Sequence, residues 1–204
     1  MADRTGVLLE SDVDADPLVQ FQRWYADAEA ADIRMPQAMA LATASPEGSP
    51  SARMVLLKGL EGGQFVFYTG YVSRKAHELA DNPRAALLFY WDPLGRQVRV
   101  EGEVDRVSAA ESDAYFATRP LGAQLAAAAS RQSTVLPSRD EFDARVAALE
   151  QRYAGAEVRR PDHWGGYRLA PDVYEFWQHR DDRAHDRLRY RRDGGAWIVE
   201  RLSP

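Results

Sequence analysis

Residues 38–70 read AMALATASPEGSPSARMVLLKGLEGGQFVFYTG, and this stretch decides the fold class. Three short apolar runs, AMALATAS, ARMVLLKG and QFVFYTG, are separated by SPEGSP and LEGG. Clusters of Pro, Gly and Ser between apolar runs of this length are typical of strands joined by turns. Because the strands follow one another without intervening helices, they predict an antiparallel sheet or barrel and argue against a doubly wound fold.

The same pattern continues towards the C-terminus. Residues 85–91 (AALLFYW) are apolar throughout and predict a strand buried on both faces. Residues 98–104 alternate apolar and charged side chains, which is the period of a half-buried strand. Residues 165–178 predict a further strand, and residues 187–202 predict a hairpin around Asp193-Gly194-Gly195. The sequence thus predicts about seven strands.

Helical segments flank these strands. The first predicted helix covers residues 17–32, with Asp16 as cap and Pro17 at the first position, and a short second helix lies between the cap Ser73 and Pro83, which is just past its end. The other two cover residues 109–129, broken at Pro120 and Gly122, and residues 137–155. Residues 1–15 are polar and acidic and predict a flexible N-terminal arm. No internal linker divides the rest, so residues 16–204 are expected to form a single domain, mainly β with flanking helices.

The composition excludes several classes of function. The 204 residues include no cysteine, which excludes disulfides, thiolate metal sites and a cysteine nucleophile. No apolar run approaches the roughly 18 residues of a membrane span, and residues 1–17 do not resemble a signal peptide, so we expect a cytoplasmic protein. With 26 basic and 31 acidic residues, the net charge of −5 argues against general nucleic-acid binding. None of the four histidines has a metal-ligand spacing, and no metal site is predicted.

Cations in unusual positions are the main functional signal. Arg53 and Lys58 flank the apolar run MVLL and, five residues apart in a regular strand, are expected on opposite faces. A cation on the buried face would imply an anion, whereas the alternative is that Lys58 ends the strand in solvent. Ser73-Arg74-Lys75 stands at a predicted helix start, where free amides, the helix dipole and two cations together suit a phosphate. The alternative there is an exposed polar turn.

Two further groups lie nearer the C-terminus. Tyr115 and Arg119 are four apart on a predicted helix and share a face, so they form either a phosphate grip or an ordinary surface pair. Within RAHDRLRYRR (183–192), an extended strand would point Arg183, His185 and Arg187 to one side. Such a face suits an anionic or electron-rich ligand, although an exposed basic edge strand has the same pattern. Several separate anion-binding candidates would fit two phosphorylated ligands.

Short motifs then recur in a specific order and spacing. They are AMALATA (38–44), RMVLLK (53–58), F-Y-T…S-R-K (67–75), RQV (96–98), Y-F-x-x-R-P (115–120), SRQS (130–133), WGGYR (164–168), EFWQ (175–178), R-x-H-D-R (183–187) and the terminal RLSP. In these motifs the chain resembles the pyridoxine/pyridoxamine 5′-phosphate oxidase family, over about residues 16–204. The resemblance implies an antiparallel FMN-binding split β-barrel that forms a homodimer, with FMN in two clefts at the subunit interface.

The resemblance also implies site residues. The positions that match the family's FMN contacts are Arg53, Met54, Val55, Leu56, Leu57, Lys58, Tyr68, Thr69, Arg74, Lys75, Gln97, Gln132, Ser133, Trp177 and Arg187. The positions that match its substrate contacts are Lys58, Tyr115, Arg119, Arg183 and His185, of which the last two are the expected catalytic residues. By this correspondence Arg53, Arg74 and Lys75 surround the FMN phosphate. Lys58, Tyr115 and Arg119 hold the substrate phosphate, while Arg183 and His185 contact the pyridine ring and its C4′ side.

The implied activity is the FMN-dependent oxidation of pyridoxine or pyridoxamine 5′-phosphate to pyridoxal 5′-phosphate, with O2 as acceptor and release of H2O2. Three departures from the family pattern bear on the substrate. Ala123 stands where a serine is common, LAAAAS follows Gln124 where the family commonly has a glycine and a tryptophan, and His179-Arg180 replaces small residues. Two alternatives are a related FMN-dependent oxidase of phenazine biosynthesis, acting on a reduced tricyclic substrate, and a non-catalytic flavin-binding protein.

Overall fold

A computed structural model describes residues 6–204, and it places nine strands in one sheet with five α-helices around it. The strands are β1 Ala38–Ala44, β2 Pro50–Leu56, β3 Gly59–Glu61, β4 Gln64–Gly70, β5 Arg84–Trp91, β6 Arg96–Arg106, β7 Trp164–Gln178, β8 Asp186–Asp193 and β9 Ala196–Arg201. The helices are α1 Pro17–Ala30, α2 Arg74–Asp81, α3 Ala109–Ala117, α4 Leu121–Ala129 and α5 Arg139–Arg152, with a 3₁₀ turn at Asp92–Leu94.

The paired strands are antiparallel, in the order β2-β1-β5-β6-β7-β4-β3, with β8 also on β7 and β9 on β8. The long strand β7 therefore serves two parts of the sheet, since residues 164–169 pair with β4 and residues 173–178 pair with β8. A register shift at Glu101/Gly102 accompanies this change, and a Cβ on Gly102 would lie 1.9 Å from the Ala170 carbonyl oxygen. The predicted antiparallel split barrel is confirmed.

An aromatic core joins α1 to the sheet. Asp16 caps α1 by accepting the Leu18 N–H at 2.9 Å, as predicted. The Phe21 ring lies 4.9 Å from Phe65 and 5.0 Å from Phe89 between centroids, and all three rings are fully buried. Burying one such ring stabilises the fold by about 1.5–3 kcal/mol. The helix thereby covers one face of the barrel, and the site described below is formed elsewhere on it.

Three local expectations are corrected. Strand β5 is buried on one face only, because Tyr90 is 55% exposed while its neighbours Phe89 and Trp91 lie in the core. The helical region after residue 108 is broken at Pro120 but not at Gly122, which lies inside α4. The predicted number of strands is too low, because the three-residue β3 gives almost no periodic signal. The predicted number of helices is also too low, because the break at Pro120 divides one predicted helix into α3 and α4.

The predicted arm begins at residues 1–5, which lie outside the described residues. Residues 6–15 contain no helix or strand, yet they contact the C-terminal hairpin. Leu8 is buried, its N–H donates to Asp186 Oδ2 at 3.2 Å, and its carbonyl accepts from Arg201 Nη2 at 2.8 Å. The division into a flexible arm and one domain stays a prediction. No helix in the described part of the chain is long and apolar enough to cross a membrane.

Candidate active site

A cavity of about 1140 Å³ opens between β2, β4, the start of α2 and the α3–α4 region. It brings together most of the positions predicted for cofactor and substrate. Those lining it are Arg53, Met54, Val55, Leu56, Lys58, Tyr68, Thr69, Arg74, Lys75, Tyr115, Arg119, Gln132 and Ser133, and Ala123 lines it as well. Residues 80 positions apart in sequence thus share one concave surface.

Arg53 and Lys58 line the same cavity, so their predicted placement on opposite faces is wrong. The reason is that β2 ends at Leu56 and does not extend to Lys58. The Lys58 N–H instead donates to the Val66 carbonyl of β4 at 2.8 Å, which turns the chain. Leu57, between them, is buried in the core and does not line the cavity.

One end of the cavity carries three cations, Arg53, Arg74 and Lys75, which we name the α2 cluster. Lys75 is only 5% exposed, and its ammonium donates to Thr69 Oγ1 at 3.0 Å and to Gln132 Oε1 at 3.1 Å. Burial, reinforced by the nearby Arg53 charge, lowers the pKa of Lys75 to about 8. An anion bound here would stabilise the ammonium form.

The start of α2 adds a second attraction for anions. Ser73 occupies the N-cap position as predicted, but its hydroxyl donates to the Gly70 carbonyl at 2.7 Å and forms no cap hydrogen bond with α2. Amides at a helix start are the positive end of the helix dipole, where cations are unfavourable and anions are stabilised. The presence of Arg74 and Lys75 at this point is therefore best explained by a bound anion such as a phosphate.

Lys58, Tyr115 and Arg119 also line the cavity, and we name these three residues the Arg119 group. Arg119 lies beyond the Thr118 cap of α3 and not within the helix, contrary to the prediction. Its guanidinium carbon lies 4.6 Å from the Trp164 ring centroid. In the described part of the chain its Nη1 is buried without a hydrogen-bond partner. A buried orphan donor on a group that stays charged indicates an anion site.

Aromatic rings form the wall beside this group. Tyr115 stacks on Tyr68 with centroids 3.8 Å apart, and Tyr68 lies 5.5 Å from Trp164 in a nearly parallel orientation. Gly166 allows this arrangement, because a Cβ there would lie 2.7 Å from the Tyr68 ring. Burial raises the pKa of Tyr68 to about 12, so the phenol stays protonated at neutral pH.

The remaining predicted cofactor positions, Gln97, Trp177 and Arg187, lie elsewhere, in what we name the sheet row. Gln97 is the register partner of Trp177, which in turn pairs with Arg187, so the three side chains lie across β6, β7 and β8 on one face. Their sequence neighbours, such as Phe176, are buried in the core on the opposite face. Arg187 Nε donates to Glu175 Oε1 at 2.8 Å. The row does not line the cavity of its own chain.

Arg183 and His185 lie in a turn at the end of this row, not in the predicted extended strand. Strand β8 begins at Asp186, the Arg183 N–H donates to the Arg180 carbonyl at 3.1 Å, and Arg183 has a left-handed φ of 62°. The His185 ring lies 4.6 Å from the Trp177 ring, and its Nδ1 accepts the Arg180 N–H at 3.1 Å. His179 is close, with its ring 5.3 Å from His185.

Sequence reasoning assigned no role to two residues of the site. Trp164 occurs in the WGGYR motif, yet nothing in the sequence alone places it under Arg119. Glu78 lies four residues after Arg74 on α2 and accepts its Nε at 2.8 Å. That spacing was the available signal, because residues four apart on a helix are neighbours.

Comparison with known proteins identifies the family of the chain. Residues 26–153 match the family model described as pyridoxamine 5′-phosphate oxidase. The chain belongs to the pyridoxamine 5′-phosphate oxidase family. Residues 164–204 match the model of the pyridoxine 5′-phosphate oxidase C-terminal dimerisation region, which supports a homodimer. Membership of this family makes the chain an oxidoreductase and points to flavin binding.

Individual relatives agree with this assignment. The chain is 56% identical over 197 residues to the pyridoxine/pyridoxamine 5′-phosphate oxidase of Rubrobacter xylanophilus, covering 97% of this chain and 91% of the relative. It is 56% identical over 200 residues to the enzyme of that name from Bordetella pertussis, covering 98% and 94%. Among solved structures, PhzG from Burkholderia lata 383, in complex with tetrahydrophenazine-1-carboxylic acid, has a TM-score of 0.92 and 34% identity, covering 98% of this chain and all of that one.

Proposed function

We propose that the chain is an FMN-dependent oxidase that converts pyridoxine or pyridoxamine 5′-phosphate to pyridoxal 5′-phosphate, with O2 as acceptor and release of H2O2. The observation that carries the proposal is the buried Nη1 of Arg119, which has no hydrogen-bond partner within residues 6–204 and lies in a cavity that already has the α2 cluster. Two separate cationic groups on one cavity suit two phosphorylated ligands, a cofactor and a substrate.

The α2 cluster fits the phosphate of FMN. The cluster contains two arginines and a buried lysine, and the amides at the start of α2 have no side-chain cap. Apolar side chains of β2, including Val55 and Leu56, line the adjoining wall and suit a flat ring system. When bound, FMN would supply the hydride acceptor for oxidation at C4′ and return the electrons to O2.

The Arg119 group would bind the substrate phosphate. Lys58 and Arg119 supply charge, and the Tyr115 ring, held against Tyr68, supplies a fixed side chain. Holding the phosphate far from C4′ restricts the motion of the substrate and lowers the entropic part of the barrier. Gln124 supports this position, because its Nε2 donates to the Arg119 carbonyl at 2.9 Å.

The sheet row and the turn at residues 179–185 would complete the site from the partner subunit. They do not line the cavity of their own chain, and apart from Gln97 they belong to the segment that matches the dimerisation region. A two-fold dimer would present the row of one subunit to the cavity of the other. Each site would then use the Arg119 group of one chain with Arg183 and His185 of its partner.

His185 would act as a hydrogen-bond donor at the substrate ring. Because its Nδ1 accepts the Arg180 N–H, the neutral imidazole carries its proton on Nε2. Arg183 would contact the substrate ring and steady the charge that changes during hydride transfer. We assign no general base, since hydride transfer from C4′ does not by itself require one from the protein.

A single assay tests the proposal. The yellow, FMN-loaded protein is mixed with pyridoxine 5′-phosphate in air, and H2O2 and the aldehyde chromophore are followed. The structural likeness to PhzG makes a reduced tricyclic carboxylate the second substrate to try. Turnover of the tricyclic compound alone would replace our proposal with the phenazine-type activity. Absence of turnover with both would indicate a non-catalytic flavin-binding protein.

A further inference from the structure

A buried carboxylate, Glu78, lies among the cations of the α2 cluster. It is 6% exposed and accepts four hydrogen bonds. Its Oε1 accepts from Arg74 Nε at 2.8 Å, while its Oε2 accepts from Thr43 at 2.5 Å, Ser51 at 2.6 Å and Arg53 Nη2 at 3.4 Å. Burial alone would raise the pKa of Glu78, but these hydrogen bonds lower it to about 2. The carboxylate is therefore ionised at neutral pH.

The two arginines depend on Glu78 to different extents. Arg53 has other partners, since its Nη1 donates to the Leu41 carbonyl at 3.1 Å and to Thr43 Oγ1 at 2.6 Å. The Arg74 side chain is 61% exposed, and among residues 6–204 Glu78 is the hydrogen-bond partner of its guanidinium. A contact at Nε leaves both Nη groups free to bind a ligand. Glu78 is thus placed to order Arg74 without occupying its outer donors.

We propose that Glu78 is a positioning residue that orders Arg74 for the phosphate of the flavin and so favours FMN over riboflavin. The proposal rests on the function proposed above. An exposed arginine loses conformational entropy when it binds a ligand, and a side chain that is already held loses less. The carboxylate also repels the phosphate, so removal of its charge has two effects of opposite sign. The two effects separate when Arg74 is absent.

The test measures the affinity of the apoprotein for FMN and for riboflavin by quenching of flavin fluorescence. Glu78→Gln removes the charge and weakens the hold on Arg74. We expect it to weaken FMN binding about two- to tenfold, the range for immobilising one long side chain, and to leave riboflavin binding unchanged. In the Arg74→Ala background, Glu78→Gln should not weaken FMN binding and should strengthen it slightly, since only the repulsion is removed.

Two further variants define the outcome. Glu78→Asp keeps the charge but shortens the side chain, so it should weaken FMN binding at least as much as Glu78→Gln. Glu200→Gln is the matched control, because Glu200 accepts from Arg189 and Arg191 away from the cavity, and neither flavin should be affected.

Several results would overturn the proposal. Equal weakening of FMN binding and riboflavin binding would show that the role of Glu78 is merely structural. Loss of folding in both Glu78 variants would lead to the same conclusion. Tighter FMN binding by Glu78→Gln, or the same weakening without Arg74, would show that Glu78 does not act through Arg74. If the unaltered protein binds FMN and turns over substrate, such results count against Glu78 alone. If it binds neither flavin, the proposed function fails as well.

Discussion

The cavity and the sheet row differ in how completely their cations are neutralised. Glu78 pairs with Arg53 and Arg74, but the cavity also carries Arg119 and Lys75. In the cavity, Arg119 Nη1 is a buried donor without a partner among the described residues, and the Lys75 ammonium is held by neutral oxygens. In the row, Arg187 is neutralised by the buried Glu175 and also donates to the Ser203 carbonyl at 2.9 Å. The cavity can therefore bind anions, whereas the charge of the sheet row is already neutralised and the row can pack against the surface of a second subunit. We therefore expect one chain to supply the anion-binding residues and its partner to supply the sheet row and the turn that cover them.

Complementation between two impaired variants would test this division most strongly. Arg119→Ala damages the cavity, and His185→Ala damages the turn. If each site combines both regions from different chains, a mixed dimer has one intact site and one doubly altered site. We expect activity to return when the two variants are co-expressed with different tags and the mixed dimer is isolated.

The control mixes Arg183→Ala with His185→Ala. Both changes lie in the same turn, so every site of that mixed dimer carries one altered residue and activity should stay low. If the first mixture also stays inactive, cavity and turn do not combine across the dimer, and the assignment of Arg183 and His185 to the partner's site is wrong.

Arg119→Ala alone should have the next largest effect. The loss of a charge-assisted hydrogen bond of about 1.5–3 kcal/mol lowers kcat/KM for pyridoxine 5′-phosphate by roughly 10- to 100-fold. FMN content should not change, because the α2 cluster is intact. Steady-state kinetics and the flavin absorbance of the purified variant check both statements. An unchanged KM would show that the substrate phosphate does not lie beside Arg119.

The lowered pKa of Lys75 predicts that the affinity of the cavity for FMN depends on pH. Its pKa is lowered to about 8, and a bound phosphate stabilises the ammonium form, so FMN binding takes up a proton near this pH. Affinity for FMN should therefore be highest below pH 8 and fall above it, by at most about tenfold per pH unit for one proton.

Lys75→Met should flatten this profile, and Lys58→Met should keep it, because Lys58 lies in the other cationic group. The fold itself has the opposite trend. Because the folded-state pKa of Lys75 is below its ordinary value, the stability of the apoprotein should rise as the pH increases from about 8 to 10.5. A flat FMN affinity between pH 7 and 9.5 would exclude Lys75 as a phosphate ligand.

Much of the fold could be predicted because its signals are local. The cap at Asp16, the alternation in β6 and the turn at Gly194-Gly195 each depend on a few neighbouring residues. The errors arose where a strand ends. A regular strand through Lys58 would place it opposite Arg53, but β2 ends at Leu56 and the Lys58 N–H pairs with Val66 of β4, a contact that the pattern of β2 does not contain.

The site was predicted less completely than the fold, for a similar reason. The family resemblance supplied a set of residues but no position in space, and the structure divides that set between the cavity and the sheet row. The Arg183 turn has a left-handed residue that is not glycine, so no sequence signal marks it. The spacing alone predicts that Glu78 pairs with Arg74 on one helix face. Its contacts with Thr43 and Ser51 cannot be predicted in this way, because those residues lie on strands that only the fold brings next to α2.

The smallest expected effect concerns Ala123, which lines the cavity on α4 where the family commonly has a serine. Ala123→Ser would add one hydroxyl close to the phosphate proposed for the Arg119 group. A hydrogen bond to a charged group contributes about 1.5–3 kcal/mol, but water can already fill this place, so roughly 1 kcal/mol is expected. KM for pyridoxine 5′-phosphate should fall several-fold with little change in kcat, because the contact is equal in the ground and transition states. Ala170→Ser, outside the cavity, is the matched control and should change neither constant. An unchanged KM in Ala123→Ser would place the phosphate away from α4, and Lys58 and Arg119 would then hold it without a contribution from that helix.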